Sequence, residues 1–115
     1  MGFSGIMWVM GIDDTSTREL VRRILTTAKP DRIILFGSAA TGAMTRDSDI
    51  DLLVVEPEPG NTREESVKIR RALDEVGYPI DVIVISTRRF EETKNVFGGI
   101  AYPAHKYGRV LYEAA

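Results

Sequence analysis

Three aspartates carry the chemistry open to this sequence. Asp49 and Asp51 flank Ile50 at the head of an apolar run, Leu52-Leu53-Val54-Val55, and Asp81 stands near the start of a second run, Ile80 to Ile85. In an extended chain alternate side chains share a face, so Asp49 and Asp51 point the same way with their backbones roughly 6.6 Å apart. If the strand bearing Asp81 lies directly alongside, that third acid comes within about 5 Å laterally. Three carboxylates so gathered repel one another and lose hydration unless a cation neutralises them. Oxygen donors with no His or Cys nearby select magnesium or manganese over zinc. A divalent ion held by carboxylates is the apparatus of phosphoryl chemistry, in which nonbridging oxygens are bound and the attacking oxygen is activated.

Gly37-Ser38, followed by the ten residues Ala39 to Ser48, precedes the paired acids and supplies a phosphate grip. A glycine at a strand end lets backbone approach a phosphate closely, and the following amides with the Ser38 hydroxyl can donate hydrogen bonds to it. Taken singly, each feature has an ordinary explanation. A Gly-Ser pair is commonly a turn, an Asp-x-Asp is commonly a pair of solvated acids or a helix cap, and Asp81 could pair with Arg32 or Arg70. Together, on consecutive apolar strands, they have few structural excuses.

The elements that must position these residues follow from periodicity. Ser16 with Glu19 has capping-box spacing, and Leu20, Val21, Ile24, Leu25 and Ala28 then fall on one face of a first helix that ends at Lys29-Pro30. Arg32 to Phe36 reads as a strand stopping at Gly37-Ser38, and Asp49 to Val55 as an interior strand covered on both faces. Thr62 with Glu65 repeats the capping spacing ahead of Ile69, Ala72, Leu73 and Val76, and Gly77 closes that second helix. Ile80 to Ile85 is a third strand, and Ser86 caps a short helical turn through Phe90. The stretch Glu91 to Pro103 has no clear period, Gly98-Gly99 suggests a mobile loop, and Val110 to Tyr112 adds a last short strand. The order predicts an α/β (α+β) domain, a small mixed sheet with helices packed on it.

The totals bound the rest. With 115 residues, 43% hydrophobic and 28% charged, the chain suits one globular domain, divided here into an apolar extension over 1-15 and a folded domain over 16-115. A net charge of -2 argues against indiscriminate binding to nucleic acid. No cysteine is present, which excludes disulfides and zinc-thiolate sites and suits a reducing cytoplasm. The apolar stretch Met1 to Gly11 lacks a basic start and is too short to span a bilayer, so no membrane is expected. Homo-oligomerisation stays open. His105 is the only histidine, and a lone histidine is mostly an ordinary surface or core residue. Arg18, Arg22 and Arg23 read as a solvated charge row.

Gly37-Ser38, the ten-residue interval and Asp49-Ile50-Asp51 resemble the signature of the DNA polymerase β-like nucleotidyltransferases, in particular their minimal nucleotidyltransferase branch. Arg46-Asp47-Ser48 before the acids, Ile80-Asp81-Val82-Ile83, and the ending Tyr107-Gly108-Arg109-Val110-Leu111-Tyr112-Glu113 resemble that branch too. The likeness runs from about residue 17 to the end and implies the polymerase β-like fold. It implies that Gly37 and Ser38 hold nucleotide phosphates, that Asp49, Asp51 and Asp81 bind Mg2+ or Mn2+, and that Asp81 assists deprotonation of the acceptor. It further implies ATP as substrate and an antitoxin role beside a HEPN-type toxin, silenced by adenylylation of a tyrosine. The chain lacks the Arg and His spacing expected of that ribonuclease itself. One departure is visible: relatives often carry an arginine shortly after the Gly-Ser, whereas Ala39-Ala40-Thr41-Gly42 has none, leaving Arg46 as a substitute. Two alternatives stay open, a binding antitoxin without catalysis and a transferase acting on a small hydroxylated molecule such as an antibiotic.

Overall fold

The computed structural model describes residues 14–37, 50–77 and 79–114. Helix α1 (Asp14–Leu25) buries Leu20 and Ile24 completely. It starts two residues ahead of the expected Ser16 cap, and Glu19 turns forward instead, its carboxylate bound by Arg22 Nη2 and Arg23 Nε, each at 2.6 Å. Hydrogen bonds from Arg22, then Arg23, hold that carboxyl down at about 2. The other two long apolar runs are strands, β1 (Arg32–Phe36) and β2 (Ile50–Glu56). Helix α2 (Thr62–Ala72) follows, continued by a 3-10 turn over Asp74–Val76 and closed by Gly77 at φ 96. Its cap is Asn61, whose side-chain oxygen accepts the Glu64 amide at 3.0 Å, so the helix starts one residue earlier than a Thr62 cap would give. Asn outranks Thr at this position because its oxygen reaches the orphan amides more readily. Strand β3 (Ile80–Ser86) and helix α3 (Thr87–Thr93) come next, with Ser86 capping α3 through the Arg89 amide at 3.1 Å.

The sheet order is β3-β2-β1-β4, where β4 spans Arg109–Glu113. β2 and β3 are parallel, joined across α2, while β1 runs antiparallel to both β2 and β4. This is the mixed α+β sheet expected from the element order. β2 lies inside it with both faces covered, as its unbroken apolar run requires. Ile50, Leu52 and Val54 pack with Leu20, Ile24 and Ile69, and on the other face Leu53 and Val55 pack with Phe90, Ala101 and Ala104. Each fully buried aliphatic side chain there contributes roughly 1.5–3 kcal/mol.

The stretch without a clear period holds a further helix, α4 (Ala101–Tyr107). Pro103 is its third residue, inside the first turn where no intrahelical donor is needed, so proline does not break it. Only the small residues Ala101 and Ala104 are buried, which lets α4 lie close on the sheet but leaves little apolar pattern to read. Gly108 makes the junction to β4. A Cβ there would meet the Ala104 carbonyl oxygen and lie 2.6 Å from Ile34 Cγ2 and 3.0 Å from the Leu35 carbonyl oxygen. Among the described residues no helix is long and apolar enough to cross a membrane.

Candidate active site

Strand register builds the site. Phe36 pairs with Asp51 across β1 and β2, and Asp51 pairs with Asp81 across β2 and β3. The next row on that face is Ile34, Leu53 and Ile83, and the one after is Arg32, Val55 and Ile85, since alternate residues of a strand share a face. The inner rows are closed over by Phe90, Ala101 and Ala104. The row with the two aspartates is the last, at the rim where β1 ends and β2 and β3 begin. Asp51 is half-buried there and Asp81 exposed.

Parallel neighbours in register stand about 4.8 Å apart, so two carboxylates face the same space from adjacent strands. Asp81 forms no ion pair among the described residues, so neither Arg32 nor Arg70 makes it merely structural, and Arg32 bonds Glu113 at 2.8 Å instead. Gly37 closes the arrangement from β1. Its φ is 75, a left-handed conformation that suits glycine, and a Cβ on it would collide with Asp51 Oδ2 and lie 3.4 Å from Asp51 Cγ. Glycine is therefore required for the Asp51 carboxylate to sit where it does.

Gly37, Asp51 and Asp81, read from the sequence as one site, are thus brought together. Ser38 and Asp49, with Arg46, lie outside the described residues. Among the described residues no three acid, His or Cys side chains cluster, and Asp51 with Asp81 make a pair. Two carboxylates with oxygen donors only suit a hard divalent cation, the ion that phosphoryl chemistry uses. His105 does not join them; it is exposed and meets the Phe90 ring edge-on, with centroids 6.1 Å apart. The topology also carries Arg109 to this end of the sheet, opposite Leu35. Sequence reading did not single it out, because nothing local says that β4 lies beside β1; the signal present was Gly108, the residue that lets the strand enter there.

The chain belongs to the nucleotidyltransferase domain family, whose match covers residues 17–106, from within α1 to within α4, and takes in Gly37, Ser38, Asp49, Asp51 and Asp81. No curated protein is significantly similar to it in sequence. Two solved structures share its fold. One is a toxin-antitoxin crystal structure with AMP-PNP, 21% identical, matched over 85% of this chain and 73% of that chain with a TM-score of 0.56. The other is a MntA-HpeT toxin-antitoxin mutant bearing two aspartate-to-glutamate substitutions two positions apart, 20% identical over the same shares with a TM-score of 0.55.

Proposed function

We propose that this chain transfers a nucleoside monophosphate, AMP from ATP, to an acceptor hydroxyl, a tyrosine of a HEPN-type toxin partner, and so acts as an antitoxin in the cytoplasm. The observation that carries the reading is the row at the sheet rim, Asp51 in register with Asp81 beneath Gly37. The catalytic domain is taken as 16-115. Asp49, Asp51 and Asp81 would hold Mg2+ or Mn2+, which when bound would neutralise the carboxylates and polarise the phosphate oxygens. Gly37 and Ser38 donate backbone and hydroxyl hydrogen bonds to the phosphates. Asp81, exposed at the start of β3, receives the proton of the acceptor hydroxyl. The acceptor oxygen bonds to the α-phosphorus, the bond to the bridging oxygen breaks, and pyrophosphate leaves.

Two findings support this reading beyond the family. A structure of the same fold was crystallised with a nonhydrolysable ATP analogue, and another carries paired acidic substitutions at the spacing of Asp49 and Asp51. Both contain a toxin with its antitoxin. Co-expression with the neighbouring gene product, size-exclusion chromatography and intact-mass measurement test it. A complex whose partner gains nucleoside monophosphate is expected. A stable complex without any gain would favour the binding antitoxin, the reading that the missing arginine after Gly37-Ser38 supports. Labelling of small hydroxylated molecules in place of a protein would favour the small-molecule transferase.

A further inference from the structure

β3 is an outer strand, with β2 on one side and no strand on the other among the described residues. An edge strand turns part of its backbone donors and acceptors away from its neighbour, and proteins usually blunt such an edge with bulges, charge or a covering segment. This edge pairs with β2 without a bulge from Ile80 to Ser86, so it is straight and regular. Along its second half runs a groove of about 550 Å³. Ile83, Val84 and Ile85 line it together with Pro59, Arg89 and Ile100.

The chemistry of the groove is mixed in a specific way. Ile100 is 37% exposed, and the chain before it presents Val96 at 55% and Phe97 at 85%. Arg89 is exposed and forms no ion pair among the described residues, whereas Arg88 and Lys94 on the same helix and its end pair with Glu92 at 3.3 Å and Glu91 at 2.7 Å. A strand edge and a guanidinium with no partner strand or carboxylate among the described residues, beside the apolar Ile83 and Ile100, match an extended chain that carries apolar residues and a carboxylate.

We propose that the β3 edge receives an extended acidic segment of a partner protein, which adds to the sheet as a strand. Its backbone pairs with β3 between Ile83 and Ser86, its apolar side chains cover Ile83 and Ile100, and its carboxylate meets Arg89. The inference rests on the paired-protein reading above and gives that partner a docking surface. The groove opens beyond Asp81 along the same strand, so docking leaves the nucleotide end free while holding the partner next to it. Binding energy gained at a distance from the reacting atoms can then be used to orient the acceptor.

The probe is a fluorescein-labelled hexapeptide, Thr-Val-Glu-Val-Asp-Val, read by fluorescence anisotropy against the full chain. Saturable binding is expected, with slowed exchange confined to those amides of residues 83–86 that do not bond β2. Arg89→Glu should weaken it at least tenfold, and so should N-methylation of alternate peptide amides, which removes strand pairing while keeping the side chains. Arg89→Glu should keep magnesium-dependent nucleotide binding, while Asp51→Asn should lose that binding and keep the peptide, so the two readings fail separately. Absence of saturable binding overturns the proposal. So does binding insensitive to N-methylation or to Arg89→Glu, which would make the groove an apolar patch only. Protection in the free chain of those amides of residues 83–86 that do not bond β2 would overturn it too, assigning the edge to a second copy if the chain is dimeric, or to its own amino-terminal residues if monomeric.

Discussion

At its amino-terminal end β2 sets Asp51 beside Asp81 on the sheet rim, where one acid is half-buried and the other open to solvent. At its carboxyl-terminal end, five residues and roughly 16 Å away, the same strand ends in Glu56, which is 6% exposed and faces Glu65 and Lys68 of α2. Burial pushes the Glu56 carboxyl up to about 7, its hydrogen bond with Glu65 and that residue's charge push the same way, and Lys68 opposes them. Lys68 lies 3.1 Å from Glu65, and Glu56 Oε2 has no hydrogen-bond partner among the described residues. Both ends thus hold paired carboxylates, but the fold resolves them differently. In the enclosed pair burial favours the protonated form of Glu56, and Lys68 offsets the charge of Glu65. The rim pair keeps its carboxylates side by side beneath a glycine, an arrangement that suits a cation brought by a ligand.

The largest expected effect tests that contrast directly. Asp81→Asn should lower nucleotide transfer at least roughly a hundredfold, the usual scale for a general base, while retaining much of the nucleotide affinity. Asp51→Asn, like Asp49→Asn, should abolish magnesium-dependent nucleotide binding measured by calorimetry. Both variants should fold at least as well as the parent, because carboxylate repulsion is relieved. Glu56→Gln should leave transfer at the parental rate, and a comparable loss there would dissolve the distinction between the two ends.

The two tight glycines sharpen it further. Gly108→Ala should destabilise the fold by about 2 kcal/mol in urea titration, since backbone and Ile34 must give way together, while the nucleotide site stays formed. Gly37→Ala should cost about 1 kcal/mol for its left-handed backbone and also lose nucleotide binding, because the added methyl displaces the Asp51 carboxylate. Equal effects of the two variants on nucleotide binding would mean that Gly37 acts on stability alone.

Acidity distinguishes the ends next. The folded carboxyl of Glu56 titrates above its ordinary value of 4.5, so the folded chain binds the proton more tightly than the unfolded one. That contribution to stability is complete below about pH 4.5 and is lost as pH rises through about 7. Glu56→Gln, neutral throughout, should therefore be more stable than the parent at pH 8 by about 1 kcal/mol and lose that advantage near pH 5. A constant difference between the two proteins across that range would exclude the raised Glu56 carboxyl. The smallest effect belongs to the surface pairs of α1. Glu19→Gln removes contacts with Arg22 and Arg23 that are exposed and screened by salt, and the melting temperature should stay within replicate scatter.

Much of this was legible in local pattern. The run Arg32 to Phe36 coincides with β1, Ser86 caps α3 as its spacing suggests, and Gly77 ends the second helical segment in a left-handed turn. The Ser16 and Thr62 caps were displaced, because S/T-x-x-E spacing is met equally by a glutamate that binds arginines one turn on, or by one that lies a turn inside a helix capped by Asn61. Helix α4 was illegible for a different reason. Its buried face is two alanines, too small and too few to leave a period, and their smallness is what permits the close approach to the sheet.

Alternation within a run is a property of the chain alone, and so the sequence by itself determined that Asp51 shares a face with Leu53 and Val55 and that β2 is covered on both sides. Which strand lies beside which is decided by packing between residues far apart in the chain. Only the tertiary structure put Asp81 in register with Asp51, left the edge of β3 open, and sent β4 to β1 through the gap that Gly108 keeps. It also decided that two acids of the same strand would meet different environments, because burial and neighbouring charge are set by the elements packed around a residue.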